Sequence, residues 1–292
     1  MQNDTWAFAL HGGAGPVAGR DYTQTEEHLE RLAQSCRERL SSGARALDVV
    51  EFAVAELESS GLYVAGRGSA PNSAGYVELD ASIMDGATRE AGAVAALRDF
   101  ANPVSVARGV MERTPHVMLM GTGAVAFARK EGFVEVEDPM SYYHLPVGVT
   151  HDDVSGFTHG TVGAVALDQS GAVAAATSTG GTFGKLEGRV GDTPLIGPGT
   201  WADDNVAVSC TGIGEHIIRS GGASSIAVRH RSGIALADAV QEMLDEVRRL
   251  GGDAGVIAVS RDGEIVMTYN SDGMKRACQS DTTDLVVATF EN

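Results

Sequence analysis

Cysteine, aromatic residues and positive charge are all scarce in this 292-residue chain. No apolar run reaches the length needed to span a membrane. The three cysteines, Cys36, Cys210 and Cys278, form an odd and dispersed set. They offer neither a disulfide framework nor a zinc-ligand spacing, and they suit a reducing cytoplasm. Eight histidines are scattered with no H-E-x-x-H or related cluster, so a catalytic transition metal is not expected. Lys and Arg number 22 against 39 Asp and Glu, a net charge of −17. That balance argues against nucleic acid or an anionic membrane as partner. Residues Met1 to Trp6 show no basic stretch followed by an apolar one, so no secretory signal is expected.

What is abundant is small. Glycine occurs 37 times, and alanine is also frequent. Hydrophobic residues make up 43% of the chain but aromatics only 5%, so the core must be largely aliphatic, with tight turns and closely packed layers. The length allows one large domain or two. No repeat of solenoid period is present.

The first half reads as a short strand, Trp6 to Leu10, closed by His11-Gly12-Gly13-Ala14-Gly15. That glycine cluster lacks the lysine and spacing of a P-loop and reads as a structural turn. Helices are expected over Glu26–Leu40 and Arg45–Ser59, where Leu47, Val50, Val54 and Leu57 recur at helical spacing. Gly61–Gly75 reads as loop, Tyr76–Met84 as strand and Pro103–Arg113 as helix. His116–Met120 reads as a buried strand, followed by a helical stretch to Lys130. From Glu135 to His159 prolines, aspartates and glycine break any periodicity, as in a linker or exposed loop. His159 itself carries no assigned role.

The second half reads as hairpins and helices. Thr161–Leu167 and Ala172–Thr179 flank the turn Asp168–Gly171, and Gly255–Ser260 and Glu264–Asn270 flank Arg261–Gly263. Helices are expected over Glu215–Arg229 and Leu236–Leu250. Antiparallel hairpins exclude a doubly wound parallel sheet and fit two sheets stacked between helix layers.

Thr161 carries the most chemical information. It follows Gly160 and opens an apolar run. A threonine hydroxyl is a weak nucleophile until a base takes its proton. A break between Gly160 and Thr161 would place a free α-amine beside that hydroxyl to act as the base. The unperturbed pKa of such an amine is about 8, so no histidine is required. Glycine at 160 tolerates the strained backbone that an acyl shift demands. Thr179, in Thr177-Ser178-Thr179-Gly180-Gly181, can orient Thr161. Arg189 offers a planar fork for a carboxylate, and Asp192 a partner for an ammonium. The Thr211 hydroxyl and the Gly212 N–H suit an oxyanion hole. Singly, each is an ordinary turn, strand start or surface ion pair. Their joint order and spacing point to a site.

These segments, from His11-Gly12-Gly13-Ala14-Gly15 to Gly273-Met274, resemble the plant-type (type III) L-asparaginase/isoaspartyl peptidases, a family of N-terminal-nucleophile hydrolases. The resemblance covers nearly the whole chain and is most specific from Gly160 to Asp192. It implies a four-layer αββα sandwich with two stacked, mainly antiparallel sheets. It implies one domain, 1–292, cut autocatalytically into subunits 1–160 and 161–292 that assemble as a dimer of such units. Thr161 would attack a β-aspartyl amide of a small or dipeptide substrate. Arg189 would hold the substrate carboxylate, and Asp192 with the Gly214 carbonyl its amine. No organic cofactor is implied. A sodium ion would sit on the backbone carbonyls of Leu57, Glu58, Ser60, Tyr63, Ala65 and Arg67, although an ordinary helix-terminal loop would read the same. Val64 departs from the family, which usually has Asn there, and Ile213 stands at a variable place beside the leaving group. Two other classes fit the residues: a processed relative acting on another small amide or modified peptide, and a non-catalytic ligand-binding α/β protein.

Overall fold

The computed structural model describes residues 5–146, 149 and 160–291. Thus His159, with residues 147, 148 and 150–158 before it, lies outside the described residues. In chain order the elements are β1 (Ala7–Ala14), α1 (Thr23–Ser41), α2 (Ala46–Ser59), β2 (Leu79–Asp85), β3 (Ala91–Leu97) and α3 (Pro103–Arg113). Then come β4 (Met118–Met120), α4 (Gly121–Lys130), α5 (Pro139–Tyr142), β5 (Val162–Leu167), β6 (Val173–Thr179), β7 (Thr200–Ala202) and β8 (Val206–Gly212). The chain ends with α6 (Gly214–Ser220), α7 (Gly222–Arg231), α8 (Leu236–Arg249), β9 (Ala254–Ser260), β10 (Ile265–Tyr269), β11 (Met274–Ser280) and β12 (Val286–Ala288).

Eight strands form one sheet in the order β12-β11-β1-β5-β6-β2-β3-β4, and four form a second in the order β10-β9-β8-β7. Every pairing is antiparallel except β3 with β4. The sheets stack on one another, with β8 and β9 against β1, β5 and β6. Helices α1 to α4 cover the large sheet, and α6 to α8 the small one. This is the expected four-layer αββα sandwich.

The composition explains how the layers close. Between the sheets the contacts come from small residues such as Ala7, Ala9, Ala175, Ala202 and Ala207, with Val165, Ile257 and Val259 among them. Strands covered on both faces lose the polar–apolar alternation of a half-exposed sheet, and β1, β5, β6, β8 and β9 are buried at every position. Larger apolar side chains are kept for the helix–sheet layers, for example Leu29, Val50, Leu57 and Phe100 on the large sheet and Ile217, Val240 and Leu244 on the small one. All three cysteines are buried and unpaired. Among the described residues no helix is long and apolar enough to cross a membrane.

Three expectations need correction. The helix expected over Glu215–Arg229 is two helices, broken where Gly221 takes a left-handed φ of 76°. A Cβ on the next residue, Gly222, would lie 2.0 Å from the Pro198 carbonyl oxygen, so packing imposes the break. His116–Met120 is not a buried strand: β4 is a three-residue edge paired only with β3, and Met120 is 64% exposed. The first strand does not close at Leu10 but continues to Ala14 through a bulge between His11 and Ala14.

The two halves of the chain interleave. β5 lies between β1 and β6, β6 pairs with β2, and β1 also pairs with β11. A chain cut between Gly160 and Thr161 is therefore expected to elute as one particle in native size-exclusion chromatography. Fragments 1–160 and 161–292 should separate only in denaturant, and dissociation without denaturant would contradict the interleaved sheet.

Candidate active site

Thr161 sits at the mouth of β5 and is only 4% exposed. Thr179, at the end of β6, donates its hydroxyl to the Gly160 carbonyl at 2.6 Å and accepts from the Gly181 N–H at 2.9 Å. The Thr161 hydroxyl points at Thr179 Oγ1 across 3.5 Å, which is too long for a strong bond. In the continuous chain the Thr179 proton thus belongs to the carbonyl of residue 160. Glycine at 160 has a steric reason, not the conformational one the sequence suggested. Its φ is not left-handed, and a Cβ there would lie 2.6 Å from the Val64 side chain.

The β1 bulge carries the glycine cluster to the same place. A Cβ on Gly13, φ 104°, would stand 3.4 Å from the Thr161 nitrogen. One residue on, the Ala14 N–H bonds Thr211 Oγ1 at 3.2 Å. That bond uses a lone pair of the Thr211 oxygen and leaves its proton free to donate. Gly212 follows with φ 138°, and a Cβ there would meet the Asp253 carbonyl at 2.5 Å.

Past Gly212 the chain enters α6, and the charged groups gather. A Cβ on Gly214 would lie 2.9 Å from Asp192 Oδ1, so only glycine admits the carboxylate this closely. Asp192 is buried, and its Oδ2 has no hydrogen-bond partner among the described residues. Burial pushes its carboxyl up to about 7, against the pull of its own backbone N–H and the Arg189 charge. Arg189 donates from Nε and Nη2 to the two carboxylate oxygens of Glu215, at 2.8 and 2.7 Å. That uses the side edge of the guanidinium. A Cβ on Gly191 would lie 2.8 Å from Nη1, so glycine keeps the other edge open.

The chain matches the asparaginase family profile (Asparaginase_2) over residues 4–146 and 143–288. It belongs to that family. It is 43% identical to the isoaspartyl peptidase of Salmonella typhimurium, over 92% of this chain and 94% of that protein. It is 39% identical to the probable isoaspartyl peptidase/L-asparaginase 2 of Arabidopsis thaliana, over 98% and 99% of the two chains. It is also 39% identical to the plant-type L-asparaginase of Thermococcus kodakarensis, over 95% and 97%.

Within this family member the loop after α2 lies directly behind Gly160. The Val64 carbonyl accepts from Gly180 N–H at 2.9 Å, and its side chain walls the Gly160–Thr161 junction. The loop coils tightly. Cβ atoms on Gly66 and Gly68 would lie 2.5 Å from the Glu58 carbonyl oxygen and 2.0 Å from that of Tyr63. The Leu57, Tyr63, Ala65 and Arg67 carbonyls already accept bonds from Ser60 Oγ and the N–H groups of Ala65, Gly68 and His144. The Glu58 carboxylate turns away and accepts from the Val104 N–H and Asn102 at the start of α3. Burial raises its pKa to about 8. Among the described residues no cluster of His, Cys, Asp and Glu is placed to hold a metal.

Several site neighbours escaped sequence reasoning. In the sequence Glu215 is only the start of a helix, and the acidic residue one position after Gly214 is the signal that marks it. Asp80, opposite Thr179 in the β2–β6 register, is buried with Oδ2 unpartnered, and burial pushes its carboxyl up. Burial pushes the nearby Lys185 ammonium down, and it donates to the Glu78 carbonyl. His11 is buried and bridges Thr161 and Ser209.

The buried Asp192 carboxyl sets a stability cost. Its pKa is higher folded than unfolded. The folded state is therefore favoured at pH below about 4 and loses that advantage as pH rises through about 7. Asp192→Asn should accordingly raise Tm, and raise it more at pH 8 than at pH 4. Equal or negative shifts in thermal melts at the two pH values would contradict this.

Proposed function

We propose that this chain is an autoprocessing threonine amidohydrolase that cleaves β-aspartyl (isoaspartyl) peptides, L-asparagine or both, releasing L-aspartate. One observation carries the reading: at a single buried peptide bond, the Thr161 hydroxyl, the Thr179 hydroxyl and the Gly160 carbonyl converge. The names of the family relatives give the substrate class.

Maturation follows from that convergence. The Thr161 oxygen adds to the Gly160 carbonyl, which the Thr179 hydroxyl polarises. The C–N bond breaks, the hydroxyl proton passes to the departing nitrogen, and an ester joins Gly160 to Thr161 Oγ1. Water hydrolyses the ester, leaving a Gly160 carboxylate and a free Thr161 amine. The Thr179 hydroxyl then loses its carbonyl partner and is free to orient the Thr161 oxygen.

In turnover the Thr161 amine takes the hydroxyl proton and the oxygen adds to the substrate's β-carbonyl. Thr211, whose proton is free, and the Gly212 N–H receive the oxyanion. Ammonia or an amino acid leaves with the proton, and water releases aspartate from the aspartyl ester. The open edge of Arg189 takes the substrate α-carboxylate, and Asp192 Oδ2 with the Gly214 carbonyl takes the α-ammonium.

The coiled loop after α2 fits a sodium ion. The carbonyls of Leu57, Glu58, Ser60, Tyr63, Ala65 and Arg67 would hold it. Neutral oxygens suit a hard cation, and the two glycine cradles leave room for such coiling. The ion would brace the wall behind Gly160 and takes no part in bond making. The buried unpaired thiols support a reducing cytoplasm, the family resemblance supports a dimer of processed units, and the net charge of −17 argues against a nucleic-acid or anionic-membrane partner.

Thr161→Ala should remain a single chain on a denaturing gel and show no hydrolysis of L-asparagine or a β-aspartyl-leucine dipeptide, both of which the parent should cleave. Maturation with activity in the variant would sink the assignment.

The Val64 wall generates a second test. Gly160→Ala places a methyl group against Val64 and should slow self-cleavage by about tenfold or more. Adding Val64→Ala removes the obstruction and should restore most of the rate, measured by intact mass over time. Failure of the second substitution to rescue the first would show that glycine is needed there for another reason.

A further inference from the structure

His11 lies outside the roles assigned above, yet it touches Thr161. The β1–β5 ladder runs from Ala7–Leu167 to His11–Gly163, where its last pair falls two residues short of Thr161. β1 then bulges through Gly12 and Gly13. Beyond the ladder the contact is carried by a side chain: His11 Nδ1 stands 3.2 Å from the Thr161 carbonyl oxygen. Its other nitrogen, Nε2, stands 2.9 Å from Ser209 Oγ. The sequence makes room for this second bond. A Cβ on Gly163 would lie 2.3 Å from Nε2 and 2.1 Å from Ser209 Oγ.

Ser209 is the last of a line of buried hydroxyls between the sheets. Thr200 Oγ1 on β7 donates to Thr177 Oγ1 on β6 at 2.5 Å and lies 2.7 Å from Ser82 Oγ on β2. Thr177 Oγ1 is 2.7 Å from Ser209 Oγ on β8. Ser82 Oγ donates its single proton to the Thr193 carbonyl at 2.6 Å, beside Asp192.

Proton counting gives this line a direction. Burial keeps His11 neutral, with a pKa of about 3, so its ring has one N–H. A carbonyl oxygen only accepts. Nδ1 must therefore carry the hydrogen, and Nε2 is a bare acceptor that Ser209 must fill. Ser209, having spent its proton, accepts from Thr177. Thr177 accepts from Thr200, where the line begins, because the single Ser82 proton goes to the Thr193 carbonyl. The donor direction at Thr200, set by hydroxyl geometry alone, runs the same way. The opposite tautomer would set a nitrogen lone pair against the carbonyl lone pairs of Thr161.

We propose that His11 is a positioning residue: the Thr200–Thr177–Ser209 hydroxyl line holds it as the Nδ1–H tautomer, and its N–H fixes the Thr161 carbonyl and with it the aim of the Thr161 amine and hydroxyl. The inference rests on Thr161 being the nucleophile. Its chemistry is purely orientational, and it moves no proton during turnover.

The test separates the two ring nitrogens. Asn in place of His11 keeps an N–H near the Nδ1 position, whereas Gln places its amide near Nε2. His11→Asn should self-cleave and keep kcat within about threefold of the parent. His11→Gln should lose about tenfold or more in self-cleavage and kcat, with KM for β-aspartyl-leucine unchanged in whichever form turns over. Equal losses in the two variants, or a change in KM alone, would overturn the proposal. The tautomer is read independently from ¹⁵N histidine shifts of the uncut Thr161→Ala chain, which does not depend on either His11 variant folding. A protonated Nδ1 and bare Nε2 are expected, and Ser209→Ala in that background should produce a mixture of tautomers. A protonated Nε2 in the first sample, or an unchanged spectrum in the second, overturns it. Activity in Thr161→Ala would instead remove the nucleophile assignment, so the two failures are distinguishable.

Discussion

The insertion of β5 between β1 and β6 is the constraint on which the rest depends. Its backbone is paired on both edges and its side chains are covered on both faces. A strand so enclosed cannot shift register without turning apolar side chains and unpaired backbone groups into costs of several kcal/mol in total. Thr161 is the residue where that enclosure ends. Its main chain is anchored on the β5 side and released on the β1 side by the bulge at Gly12–Gly13. The fold thus supplies a rigid base and an opening at adjacent atoms, which is what a terminal nucleophile with its own amine requires.

The same enclosure makes polar groups expensive. Asp192 and Asp80 each bury a carboxylate oxygen with no partner, and Lys185 is nearly buried as well. These groups oppose folding, and large apolar layers on both sides of the sandwich offset them. Such a distribution is the usual relation between a prepared site and its scaffold. Alanine and glycine between the sheets have a related part. They bring the small sheet close enough that hydroxyls from β2, β6, β7 and β8 meet. Larger residues there would fill the space with side chains and separate those hydroxyls.

Local signals were legible where an element announces its own ends. Pro103 and the charged Arg113 bracket α3 to the residue, and the turns at Asp168–Gly171 and Arg261–Gly263 located two hairpins. The sequence signal is weaker in β3, β7, β11 and β12, which are rich in alanine, very short or polar. Strand propensity in such segments is weak, and pairing with neighbours decides their state. The break at Gly221 had a visible double glycine, but the contact with Pro198 that makes it obligatory is long-range. Glu215 shows the same limit in the site. An acidic residue opening a helix is ordinary, and its bidentate hold on Arg189 exists only because α6 is folded back over the Arg189–Asp192 loop.

By itself the sequence determined the kinds of group available: a threonine after glycine, a planar cation, a carboxylate, glycines where backbones must pass closely, and a composition suited to thin layers. It also carried the family, because order and spacing of those groups survive without coordinates. Only the tertiary structure decided what each group faces. It put Val64 against Gly160 and made that glycine a steric requirement. It left Asp192 Oδ2 unpaired, and it ran a line of hydroxyls to His11. Each of these depends on residues tens to hundreds of positions apart meeting across sheet pairings and sheet stacking. Periodicity and propensity describe neighbours along the chain, and these contacts are between neighbours in space.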